Sequence, residues 1–254
     1  MIRFFRSIRQ KLLVENRFTK YLVYALGEIV LVVIGILIAL QVNNWNEHRK
    51  SLAREQKYLV AIRGELRNNL ASLNREKARL AAALEAQRML IRLVEAETDT
   101  VSERFLSTLL GRSFSDEIAL PYEHGVFTEL LSTGGLSDLT NDSIKTEIAS
   151  WDGKMRDVEL QEAELALYRN TITQYFIDHI DFKTMFADPG RTAMAKDGRS
   201  LANHSNLHLL HDQTFENYLL LYQVLGDVQY EMKYPALEAD IQTLLDRVER
   251  EIDG

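Results

Sequence analysis

Hydrophobic positions along this chain form one unbroken run followed by a long series of interrupted stripes. The run is Tyr21 to Val42, YLVYALGEIVLVVIGILIALQV, and its one ionisable side chain is Glu28. As a helix rising 1.5 Å per residue it is about 33 Å long, enough to cross a hydrocarbon core of roughly 30 Å. Tyr21 and Tyr24 at one end and Trp45 at the other suit the two membrane interfaces, where amphipathic rings concentrate. A cleaved signal peptide would have a shorter run and a small-residue cleavage site. Here the run ends Ala39-Leu40-Gln41-Val42-Asn43-Asn44. The pattern predicts a retained transmembrane helix over 21–42, between a juxtamembrane segment at 1–20 and a helical domain at 43–254.

Beyond the span the apolar spacing is helical. Leu59, Ile62, Leu66, Leu70, Leu73, Leu80, Leu84, Ile91 and Val94 recur at three- and four-residue steps with charges between them. Gly64 is the one glycine between Gly35 and Gly111, so a single rod to about Glu97 is predicted. Thr100 with Glu103 reads as a capping box opening a short helix that ends at Gly111. After Pro121, a helix carrying Val126, Phe127, Leu130 and Leu131 stops at Gly134-Gly135. Asn141 or Asp142 then caps a long helix with Ile144, Ile148, Trp151, Met155, Val158, Leu165 and Ile172 on one face. The pattern fails around Asp188-Pro189-Gly190, and a polar segment continues to about Asn203. Two last helices are predicted at His204–Lys233 and Pro235–Ile252. The stripes must face one another, which gives an all-α fold: an antiparallel helical bundle of four or five helices following the membrane helix. No alternating strand pattern and no internal repeat is seen.

Composition adds a charge asymmetry. The net charge is -7, yet residues 1–50 hold 8 Lys/Arg against 3 Asp/Glu. Arg3, Arg6, Arg9, Lys11, Arg17 and Lys20 precede the span, and Arg49, Lys50, Arg54 and Lys57 follow it. This bias places the N-terminus in the cytoplasm and the 43–254 domain outside it. Phe4, Phe5, Ile8, Leu12 and Leu13 lie between the basic positions at helical spacing. Either this is a short helix lying on an anionic leaflet, or the bases are topology signals with incidental apolar neighbours. Basic residues beside a span have a reason to exist without nucleic acid, so no nucleic-acid partner is expected. With 0 Cys there is no disulfide framework and no thiolate chemistry.

Gly27-Glu28, Gly35-Ile36-Leu37-Ile38-Ala39-Leu40-Gln41 and Asn44-Trp45-Asn46-Glu47 resemble the first block of a family of uncharacterised bacterial membrane proteins, domain of unknown function 6090. Phe127, Glu129 to Leu136 and Asn141-Asp142-Ser143 resemble its second block, although Gly135 and Asp138 stand where that pattern carries an asparagine and an apolar residue. The resemblance implies a bacterial envelope location and supplies no activity.

Glu28 stands out chemically, because a charge roughly 10 Å inside a span is costly and usually has a purpose. Gly35 and Ala39 share its helix face and form a small-x-x-x-small pair. One reading is a helix–helix interface in which protonated Glu28 bonds across to another span. The other is a Glu that snorkels to the near interface or is protonated in lipid. His204, His208 and His211 fall at i, i+4 and i+7, so two of them could chelate a metal with ligands from elsewhere. The plainer reading is partly buried or surface histidines among leucines, and no metal or other cofactor is expected. His179 with Asp181 and Glu123 with His124 read as surface pairs. Asp157, Glu159, Glu162 and Glu164 read as a solvated acidic face. Nucleophile-elbow, P-loop, zinc-protease and dinucleotide motifs are absent, leaving no catalytic residues to name and no enzyme expectation.

These observations predict a membrane-anchored interaction or scaffold module of the bacterial inner membrane. Its partners would be the bilayer and either its own copy through the span or another membrane protein. The alternative is a periplasmic sensory bundle that binds a small ligand and signals through a partner, since about twenty residues precede the span.

Overall fold

The computed structural model describes residues 18–96, 100–186 and 204–253, with side chains described from 22 onward. The basic 1–17 stretch, the Tyr21 side chain and the polar stretch from Asp188 to Asn203 lie outside the described residues. Every regular element among the described residues is helical. In chain order they are α1 Phe18–Glu95, α2 Glu103–Phe114, α3 Gly125–Thr133, α4 Asp142–His179, α5 Phe182–Met185, α6 Gln213–Val228 and α7 Tyr234–Asp253. Two 3₁₀ turns, Gly135–Asp138 and Leu207–His211, and a π turn at Gln229–Lys233 join them.

The chain divides into two units, residues 1–57 and 58–254. In the first, Leu22 to Val42 is apolar and exposed on every side of its helix, and it is long and apolar enough to cross a membrane. Tyr24 and Trp45 are exposed near its ends, and the Arg49 guanidinium lies 5.5 Å from the Trp45 ring.

In the second unit the α1 stripe supplies Leu59, Ile62, Leu66, Leu73, Leu80 and Leu84 to a core completed by α3, α4 and α7, with Leu70 packed at its edge. Every residue of the predicted α4 stripe is buried. Trp151, 1% exposed, meets Phe127 edge-to-face at 5.3 Å. A second cluster joins Leu90 and Val94 of α1 to Leu110, Phe176, Phe215 and Tyr222. Ion pairs tie the helix surfaces: Arg67 to Glu249, Lys77 to Glu238 and Arg88 to Asp227. Partner numbers fall as α1 numbers rise, so α6 and α7 run opposite in sense to residues 58–95. Lys154 with Asp240 and Arg247 with Glu147 set the same relation to α4. At Gly226 a Cβ would come within 2.5 Å of Leu84 Cδ2, so α6 passes close to α1 there and a larger residue would make the Leu84 side chain shift.

The element ends refine the sequence expectations. Asn141 is the α4 cap, its Oδ1 accepting the Ser143 and Ile144 N–H groups. Gly134 ends α3 at φ 75°, a left-handed conformation that favours glycine. Ser102 rather than Thr100 caps α2, accepting the Phe105 N–H, and Gly111 is a buried interior position rather than a stop. No helix begins at His204. The last helix opens at Tyr234, one residue before the expected Pro235, and the π turn leads into it directly from α6. Proline has no N–H and crowds the preceding turn. The Tyr234 N–H bonds back to Gln229 O, and this wider turn accommodates the ring.

Candidate functional site

A recess in the second unit lies between α4 and the segment leading into α3, and its wall depends on a buried polar stripe on α1. Glu65, Asn69 and Glu76 are each buried, one step around the helix from the apolar stripe. An irregular segment has backbone donors with no helical acceptor, and buried donors must be satisfied. The stripe satisfies them. Glu76 Oε1 accepts the Ala119 N–H at 3.1 Å, and Asn69 exchanges two bonds with the Glu123 backbone at 2.7 and 2.8 Å. Glu65 accepts the Val126 N–H at 2.7 Å, supplying the cap that His124, the α3 N-cap residue, does not.

From the other side, Glu162 Oε1 of α4 accepts the Leu120 N–H at 3.1 Å and the Tyr234 hydroxyl at 2.7 Å. Glu162 is therefore no part of a solvated acidic face. Burial pushes its carboxyl above the usual range, and nearby Glu76 and Glu159 add to that against the two hydrogen bonds. Burial, reinforced by Glu162, also raises the Tyr234 hydroxyl. The Glu76 and Glu162 carboxylates thus grip successive amides and fix the segment 119–123.

The fixed segment presents Tyr122, His124 and Thr128 across from Asp152, Met155, Arg156, Glu159, Leu160 and Ala163 of α4, enclosing an open groove of about 690 Å³. The Tyr122 and His124 rings stack, 6.3 Å apart and 2° from parallel. The Tyr122 hydroxyl is enclosed and has no hydrogen-bond partner among the described residues, and burial first, then Glu65, raises its pKa. Leu160 is 61% exposed at the rim.

Half of this chain carries a family relationship. The profile of a family of unknown function, DUF6090, matches residues 28–156. The chain belongs to DUF6090. No curated protein and no solved structure matches it. The DUF6090 region opens at Glu28, takes in Gly35, Ala39 and Trp45, and continues through the polar stripe of α1 to Arg156 in the groove. Glu159, Leu160 and Ala163 lie beyond it, as do the three histidines.

In the apolar run of α1, Glu28, Gly35 and Ala39 are exposed, and a Cβ on Gly35 would meet nothing within 4 Å. The histidines are not one helix face. His204 precedes the 3₁₀ turn Leu207–His211, which carries the other two. His208 has both ring nitrogens against carbonyl oxygens, Ser205 O at 3.0 Å and His179 O at 2.8 Å. Among the described residues no group of side chains is arranged to hold a metal ion. A recess of about 610 Å³ lies here, lined by Asp178 to Asp181 and His204 to Asn206, with His208. Its polar groups largely bond one another. Asn206 exchanges bonds with the Asp181 backbone, and Glu103 accepts the Ser205 hydroxyl and the Asn206 N–H. Asp181 caps α5 and His179 stacks on Tyr175 at 4.0 Å, so this pair is built into the fold, and Glu123 is held to Asn69 through its backbone.

The sequence reading missed the groove and the stripe behind it. The signal was present as a second three-and-four series on α1, polar rather than apolar, at Glu65, Asn69, Ser72 and Glu76.

Proposed function

We propose that the chain is a membrane-anchored helical interaction module of the bacterial envelope, with the span at 21–42, the N-terminus in the cytoplasm and the 43–254 domain an extracytoplasmic antiparallel bundle. The observation that carries this reading is the contrast between the units. Leu22 to Val42 exposes aliphatic side chains around its whole circumference. The second unit buries its apolar stripes in two clusters and closes its loop with backbone hydrogen bonds. In water the exposed run would cost about 25 cal/mol for each Å² of apolar surface, which lipid removes. Both recesses described are open to solvent, which suits the surface of a partner better than an enclosed small molecule.

Extraction tests the anchor. The full chain should stay in the membrane pellet through an alkaline carbonate wash and leave it with detergent. Ile34→Lys combined with Leu37→Lys should release it, since each buried lysine costs about 3 kcal/mol near the middle of a span. A wild-type chain that washes off with carbonate would overturn the reading.

A further inference from the structure

The outward line of α4 carries a pattern of its own. Ala149, Gly153, Arg156, Leu160, Ala163 and Leu167 recur at alternating four- and three-residue steps, and all are exposed. That is the spacing of a coiled-coil seam, in which apolar positions meet a partner helix and flanking charges choose it. The flanks are acidic on both sides, Asp152 and Glu159 on one, Asp157 and Glu164 on the other. Asp157 meets Lys233 at 2.8 Å, whereas Asp152, Arg156, Glu159 and Glu164 make no ion pair among the described residues. The groove runs along the Asp152–Glu159 edge of this seam, so the stripe and the recess form one surface.

The charges decide the occupant. Laid on this helix in either direction, a second copy of α4 would set carboxylate against carboxylate at the flanks, which disfavours pairing. Asp152 and Glu159 stand about 10 Å apart along the axis with Arg156 between them. We propose that this surface binds a basic amphipathic helix of another protein. Its apolar residues would repeat at heptad spacing on Leu160 and Leu167, and its edge would present a base–acid–base series to Asp152, Arg156 and Glu159. The stacked Tyr122–His124 pair on the facing wall gives an arginine of that helix a flat surface to lie on. This assignment rests on the interaction-module reading and names the site and the partner's chemistry.

The test uses the full chain in detergent micelles and two fluorescein-labelled helical peptides of about 24 residues, long enough to hold a helix on a surface. Both have Leu and Ala at the seam; one has a Lys–Glu–Lys edge and the other Glu–Lys–Glu. Fluorescence anisotropy should show the first binding at least ~10-fold more tightly at low salt, with the gap narrowing above ~0.15 M salt. Asp152→Lys with Glu159→Lys should invert the order, and Leu160→Ser should weaken both peptides. These exposed substitutions should leave the circular dichroism spectrum unchanged. Equal affinity for the two peptides, no saturable binding of either, or an order unmoved by the charge reversal overturns the proposal. So does self-association by light scattering that Leu160→Ser abolishes, since that makes the occupant a second copy. The anchor is judged separately: release by carbonate with peptide preference intact sinks the anchor alone, and the converse sinks the groove alone.

Discussion

At the scale of single residues, Trp151 and Glu162 of α4 hold the second unit by different means, one by filling the core and the other by accepting hydrogen bonds from distant donors. Trp151 and Ile148 declare themselves by spacing because burial of an apolar stripe is the condition for a surface helix to fold at all. Glu162 gives no such sign. In sequence it is one acid among several, and what distinguishes it is the Leu120 amide and the Tyr234 hydroxyl, 42 and 72 residues away. Its raised carboxyl has a consequence for stability. A carboxyl that is harder to ionise when folded than when unfolded favours the folded state while protonated. That contribution is complete below the ordinary carboxylate range and is lost as pH rises through the elevated value. Glu162→Gln keeps an acceptor for the Leu120, Tyr234 and Gln229 donors and cannot ionise. Thermal unfolding should therefore find the variant level with wild type near pH 4 and as stable or more stable at pH 8. A variant whose deficit grows as pH rises would show that the charged carboxylate is the stabilising form.

Among elements, the helices, the Gly134 stop and the Asn141 cap were readable, and the 3₁₀ and π joints were not. A three-residue repeat in a 3₁₀ turn rotates side chains by about 120° per residue rather than 100°, so His208 and His211 could not be placed by assuming an α-helix. The segment 115–124 has no periodicity to read; the Asn69, Glu76 and Glu162 side chains set its path by accepting from its backbone N–H groups. The apolar run at 21–42 is the opposite case, since length and composition alone make it a candidate span, and its prediction concerns packing. Glu28, Gly35 and Ala39 share a face, and small residues let two helix backbones approach closely. A peptide of residues 15–50 should associate in a membrane as a parallel dimer. Gly35→Leu should disrupt it, and Glu28→Gln should largely preserve it because an amide also hydrogen-bonds across helices. Glu28→Leu should weaken it by about 1–2 kcal/mol. Background association of the wild-type peptide, or a Gly35→Leu variant equal to wild type, would make the shared face a coincidence.

At the scale of the whole molecule, the proposed anchor would put the groove on one side of a membrane, and Lys and Arg give the expectation. Six basic residues precede the span within residues 3–20, and four follow it within residues 49–57. Basic residues close to a span are retained on the cytoplasmic side, and acidic ones count for little in that choice. The acid-rich remainder of the chain therefore does not offset the bias, and the second unit is expected outside the cytoplasm. A basic helix bound at Asp152 and Glu159 would then come from an envelope protein rather than a cytoplasmic one. Fusions to the C-terminus of the full chain test this in a bacterial host. Alkaline phosphatase, which needs disulfides formed outside the cytoplasm, should be active there, while a fluorescent protein that folds only inside should stay dark. Replacing Arg3, Arg6 and Arg9 by Gln leaves three basic residues before the span against four after it. That change should move part of the population to the inverted topology, measured as a rise in fluorescence and a fall in phosphatase activity. A bright, phosphatase-inactive wild type would reverse the topology and with it the compartment of the partner helix, while leaving the chemistry of the groove as it stands.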